Sequence, residues 1–129
     1  MKAHKILLVD DEPDVNEIIK MSLKQCFLPL VVEACHDGKK ALEEFKKDPD
    51  SYSLILTDIK MPNLNGFQLA NKARAVRPDI RILFMTAFMI DENLSGYTPT
   101  ISKERIISKP NDILRLCGIL EKELSVIAR

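Results

Sequence analysis

Apolar residues along this chain fall into blocks of two different periods. Lys5 to Val9 reads as a short buried strand, and Ser53 to Asp58 carries an apolar run that suits a strand buried on both faces. Leu30 to Ala34, Ile80 to Met85 and Arg105 to Ser108 read as three further strands. Between the runs, apolar residues recur at three- and four-residue steps. Val15, Ile18, Ile19, Ser22, Leu23 and Cys26 predict a helix from Pro13 to about Gln25, and Ala41, Leu42 and Phe45 predict one within Lys39 to Lys47. Phe67, Leu69, Ala70, Ala73 and Val76 predict a third. Ile113, Leu116, Cys117, Leu120, Leu124 and Ile127 line a last helix that Asn111 or Asp112 can cap. Pro29, Asp37-Gly38, Asp48-Pro49-Asp50 and Arg77-Pro78-Asp79 separate the blocks.

Strand and helix thus alternate with short connections, which predicts an α/β fold with parallel strands, right-handed crossovers and helices on both faces. One stretch departs from the rhythm. Between Phe88 and Glu104, the residues Ser95, Gly96, Thr98, Pro99 and Thr100 are poor helix formers, so a short helix near Ile90 to Leu94 and then an irregular loop are expected.

The 129 residues, 46% apolar and 29% charged, suffice for one domain spanning 1–129 with a single core. Nineteen basic and nineteen acidic residues cancel, which removes the net-charge argument for nucleic-acid binding. Ile6 to Val9 is too short for a signal or membrane segment, and a cytoplasmic location is expected. Cys26, Cys35 and Cys117 are odd in number and widely spaced, so they read as small buried hydrophobes rather than a disulfide set. His4 and His36 read as surface residues.

The chemistry lies where the strands stop. Asp10 and Asp11, Asp58, Thr86 and Lys109 stand at or beside strand ends, which share one edge of a parallel sheet. Carboxylates about 4 Å apart repel by roughly 4 kcal/mol per pair at an effective dielectric near 20. A divalent cation relieves this, and oxygen donors with few protein ligands favour Mg²⁺. Lys109 and Thr86 supply a charge and a hydroxyl suited to a phosphoryl group. Taken alone, Asp10-Asp11-Glu12 also reads as acids at a helix start.

These residues, in this order, resemble the response-regulator receiver domains of two-component signalling. The motifs are Leu8-Val9-Asp10-Asp11-Glu12-Pro13, Asp58 with Met61-Pro62 and Gly66 behind it, Thr86-Ala87 and Lys109-Pro110. The resemblance implies a doubly wound, flavodoxin-like (βα)5 sheet of order 2-1-3-4-5 with an irregular fourth helix. It implies Asp58 as phosphoacceptor and Mg²⁺ held by Asp11, Asp58 and the Lys60 carbonyl, with Asp10 acting through a metal-bound water. Thr86 and Lys109 would hold the phosphoryl oxygens, and Lys109-Pro110 would be cis. It further implies a sensor histidine kinase as donor, a downstream protein as target, a monomer or weak dimer, and no membrane or direct nucleic-acid partner. The only catalysis implied is of the domain's own phosphorylation and dephosphorylation. Lys60 and Phe88 would affect water access to the phosphorylated acid.

Where the family commonly carries an aromatic residue three positions before the lysine, this chain has Ile106, which has no ring to swing. Order and disorder across Met89 to Lys103 is the expected alternative signal. Two competing functions follow. One is a small-molecule phosphatase of the aspartyl-phosphate type, disfavoured because Lys60 stands where such enzymes place a second acid. The other is an interaction module that keeps the fold without phosphorylation.

Overall fold

A computed structural model describes residues 4–26, 29–86, 106–108 and 113–127. Five strands, β1 (His4–Val9), β2 (Leu30–Cys35), β3 (Leu54–Asp58), β4 (Arg81–Thr86) and β5 (Ile106–Ser108), pair in parallel in the order β2-β1-β3-β4-β5. The helices are α1 (Pro13–Leu23), α2 (Gly38–Lys47), α3 (Gly66–Val76) and α4 (Ile113–Ile127). The expected α/β sheet and its order are therefore present. The stretch expected to hold a short helix and loop, 88–104, lies outside the described residues.

The sheet divides the core in two because alternate residues of a strand face opposite sides. Leu7, Val9, Ile55, Ile82 and Phe84 pack with Ala41 and Phe45 of α2 and Phe67, Leu69 and Ala73 of α3. Ile6, Leu8, Leu54, Leu56, Leu83 and Met85 pack with Ile19 and Leu23 of α1 and Leu120 and Leu124 of α4. β3, read as buried on both faces, and β1, read as a buried strand, both sit in the sheet interior.

Local chemistry sets the helix starts. Pro13 occupies the first turn of α1, where its missing N–H costs nothing. Asp37 caps α2 by accepting from Lys40 N at 2.7 Å. Asn65 and Gln68 form a reciprocal capping box on α3, each side chain accepting from the other's backbone N–H.

Three expectations need correction. Ile18, placed in the inward stripe of α1, is 57% exposed, and the buried face runs through Asn16, Ile19, Ser22 and Leu23. Residues 18 and 19 lie about 100° apart around a helix, so only one of the pair faces the sheet squarely. Val76, at the end of the α3 stripe, is likewise exposed. Cys26 and Cys117, read as unpaired, form a disulfide across 91 residues with a Cα–Cα distance of 5.5 Å, joining the segment after α1 to α4. Sequence spacing is blind to a pair that only the fold brings together. Cys35 fits its expectation as a buried free thiol.

At the rim where β3 begins, Arg77 closes α3 against the preceding segment. Its Nη1 donates to the carbonyls of Tyr52 at 2.6 Å and Pro49 at 3.0 Å, and its Nε pairs with Asp79 at 3.0 Å. The Tyr52 hydroxyl donates to Glu33, and Lys5 Nζ lies 4.4 Å from the Tyr52 ring centre. His4 is half-buried here, with Nδ1 3.0 Å from Ser53 Oγ.

Candidate functional site

The order β2-β1-β3 means that the chain reverses its direction of progress between β1 and β3, where open parallel sheets bind their ligands. Val9 pairs with Thr57, so Asp10 and Asp58 follow side by side at the strand ends. Asp10 is fully buried and Asp58 is 6% exposed, while Asp11 is half-buried. Carboxylates held this far from water need hydrogen bonds or a cation to offset the lost hydration.

The turn after β1 gathers three acids. One carboxylate oxygen each from Asp10, Asp11 and Glu12 lies within 4.8 Å of the others, the only such metal-sized group among the described residues. Glu12 joins a group in which the sequence pattern gave it only a helix-start role. An all-oxygen donor set fits a hard divalent cation such as Mg²⁺. Glu12 N donates to Asp10 Oδ1 at 2.9 Å, fixing that carboxylate against the turn.

The loop after β3 is held just as closely. Thr57 Oγ1 donates to Asp58 O at 3.0 Å, Ile59 N to Met85 O at 3.1 Å, and Gly66 N to Ile59 O at 2.8 Å. Asn63 adopts the left-handed conformation with φ 69°, which asparagine tolerates better than most residues, and so turns the chain after Pro62. Gly38 meets the same loop: a Cβ there would lie 2.6 Å from Leu64 O. A cavity of about 430 Å³ opens beside Asp11, bounded by Lys60, Pro62, Asn65 and Phe67. Lys60 is exposed at its edge.

The Val9–Thr57 register thus puts Asp10 and Asp58 on adjacent strand ends, while the carboxylates that gather within 4.8 Å are those of Asp10, Asp11 and Glu12. Thr86 is the last residue of β4, opposite Ser108 and one step beyond Met85, the partner of Asp58. Ile106 begins β5 opposite Phe84. Lys109, Pro110, Ala87, Phe88 and the segment Met89 to Lys103 lie outside the described residues. Sequence reasoning missed Asn16, which is buried beneath the acidic turn. Its signal was a lone amide on the inward face of α1.

Comparison with known proteins agrees with this geometry. The chain belongs to the response regulator receiver domain family, whose model matches residues 6–121. It is 32% identical over 121 residues to the response regulator receiver protein CpdR of Brucella abortus, covering 93% of this chain and 96% of that protein. It is 34% identical over 131 residues to the regulatory protein VanRB of Enterococcus faecalis, where it spans 95% of this chain but 57% of the longer relative. A crystal structure of a response regulator receiver domain protein from Clostridium thermocellum superposes with a TM-score of 0.84 over 97% of both chains at 21% identity, a likeness of fold. The chain is accordingly a signalling domain of the two-component, phosphorelay class. No helix among the described residues is long and apolar enough to cross a membrane.

Proposed function

We propose that Asp58 accepts a phosphoryl group from the phosphohistidine of a sensor kinase. The observation that carries this reading is the burial of Asp58 at the sheet's switch point, one strand from the acidic turn. An Asp58 carboxylate oxygen attacks phosphorus, the P–N bond breaks, and the imidazole leaves; water later hydrolyses the acyl phosphate at the same place. Asp11, Asp58 and the Lys60 carbonyl would hold Mg²⁺, with Asp10 assisting through a water, and the ion would supply positive charge to offset that of the phosphoryl oxygens. Thr86 and Lys109 bind those oxygens. The domain spans residues 1–129, acts in the cytoplasm as a monomer or weak dimer, and catalyses only its own phosphorylation and dephosphorylation. It passes its state to a downstream protein by direct contact, without touching nucleic acid itself.

Incubation with acetyl phosphate and Mg²⁺ tests the reading. The expected result is a gain of one phosphate mass that Asp58→Asn abolishes. An unchanged mass, or a gain that survives the substitution, overturns it and favours an interaction module independent of phosphorylation.

A further inference from the structure

Asn16 is fully buried in α1, on the face where Ile19 and Leu23 pack against the sheet and Ser22 is the other buried polar residue. Its Nδ2 lies 3.0 Å from Asp10 O, 3.1 Å from Cys35 O and 2.9 Å from His36 Nδ1. Two backbone carbonyls can only accept, so they fix the amide with its NH₂ toward the strand ends. His36 Nδ1 then acts as an acceptor, and the two amide hydrogens are shared among three partners. The other end of the amide, Oδ1, is buried with no protein partner among the described residues.

That arrangement is a poor way to gain stability. A buried amide with an unsatisfied oxygen loses its hydration without full return, where leucine of similar size would pack without polar cost. What the amide provides is a tie between two strand ends and the acidic turn. Cys35 O already accepts from Asp10 N at 3.1 Å, and Asn16 N donates to Glu12 O at 3.1 Å. With Glu12 N on Asp10 Oδ1 at 2.9 Å, the turn from Asp10 to Glu12 is gripped at both of its ends from one residue of α1.

We infer that Asn16 is a positioning residue for the divalent cation, holding the acidic turn from Asp10 to Glu12 in place through its backbone rather than touching the ion. The inference rests on the reading of this turn as the cation site. Groups that orient metal ligands without contacting the metal typically change affinity by about 10- to 100-fold when removed.

Mg²⁺ titration of the full chain, followed by NMR shifts of the backbone amides at 10–12, tests the role alongside the Mg²⁺ dependence of phosphorylation by acetyl phosphate. Asn16→Ala is expected to weaken Mg²⁺ binding about tenfold and to raise the Mg²⁺ concentration for half-maximal phosphorylation in step, while the maximal rate falls far less. Asn16→Ser, which keeps one donor, is expected to fall between Asn16→Ala and the parent and carries the test if the alanine variant does not fold. A folded variant with lowered melting temperature and unchanged Mg²⁺ affinity overturns the inference, because that is the mark of a packing role alone. A parent protein that binds no Mg²⁺ sinks the reading of the site itself, whereas unchanged affinity in the variants sinks only the part given to Asn16.

Discussion

A Cβ on Gly66 would stand 2.3 Å from the carbonyl oxygen of Asp58 and 3.0 Å from the Cα of Ile59. The start of α3 therefore rests directly on the backbone of the candidate phosphoacceptor. Nothing larger than hydrogen fits between them, and both obstacles are main chain. Gly66→Ala must push the loop after β3 away from the acidic turn. Displacement of a reacting group by about 1 Å costs on the order of a hundredfold in rate, and that loss is expected in phosphorylation by acetyl phosphate. A mass-spectrometric time course checks it, and a rate equal to the parent's would show that the loop yields without moving Asp58.

The disulfide between Cys26 and Cys117 closes a loop of 91 residues and ties α4 to the end of α1. Constraining the unfolded chain over such a loop is worth roughly 4–5 kcal/mol in the chain-entropy model. The oxidised protein is expected to melt about 10 °C or more above the dithiol form. Thermal melts with and without reductant measure this, with alkylated peptides mapped to assign the pair. Identical melting temperatures would remove the covalent tie from the account of stability. The expected cytoplasmic setting favours thiols, so both forms belong in the comparison.

Alkaline pH tests the buried thiol. Burial, reinforced by the nearby charge of Glu33, pushes Cys35 up from 9.0 to about 11. Between those values the unfolded chain gives up the thiol proton while the folded chain keeps it. The unfolded state then binds fewer protons, so stability falls as pH rises from about 9 to about 11 and is unaffected by this group below that window. Chemical denaturation across the interval should show the decline, and Cys35→Ala should flatten it by up to about 3 kcal/mol. Parallel pH slopes in the two proteins would contradict the assignment.

Arg77 offers a contrast at the other rim. Arg77→Ala leaves the carbonyls of Tyr52 and Pro49 without their donor and removes the Asp79 pair. The carbonyl contacts decide the cost, since Asp79 is 83% exposed and its pair is worth little. A loss of about 2–3 kcal/mol in urea denaturation is expected, with phosphorylation by acetyl phosphate unchanged in the folded fraction. A large fall in phosphorylation rate without loss of stability would mean that this rim communicates with the acids.

The features that sequence revealed are those with local causes. Five short runs, each ended by turn residues, were enough for the strands, the order of the sheet came with the family resemblance, and Asp10, Asp58 and Thr86 stand at the strand ends where the pattern put them. Ile18 was misplaced because an apolar residue beside the buried stripe looks the same as one inside it; only packing against β1 and β2 separates Ile18 from Ile19. Cys26 and Cys117 were missed because their meeting depends on α1 and α4 sharing one face of the sheet. Asn16 was passed over because its partners are backbone carbonyls, which every residue carries and no motif records. Glu12 was read through the helix it precedes, although its carboxylate closes the acidic group.

The Arg77 clamp and the acids occupy opposite ends of β3, and this separation bears on how the domain tolerates change over generations. Substitutions around Tyr52 and Arg77 are felt first as the abundance of folded protein, and those around Asp10 and Asp58 first as signal per molecule. A lineage can therefore retune its cellular dose of receiver without rewriting the acidic turn, and can alter the turn while drawing on a stability reserve held at the far rim.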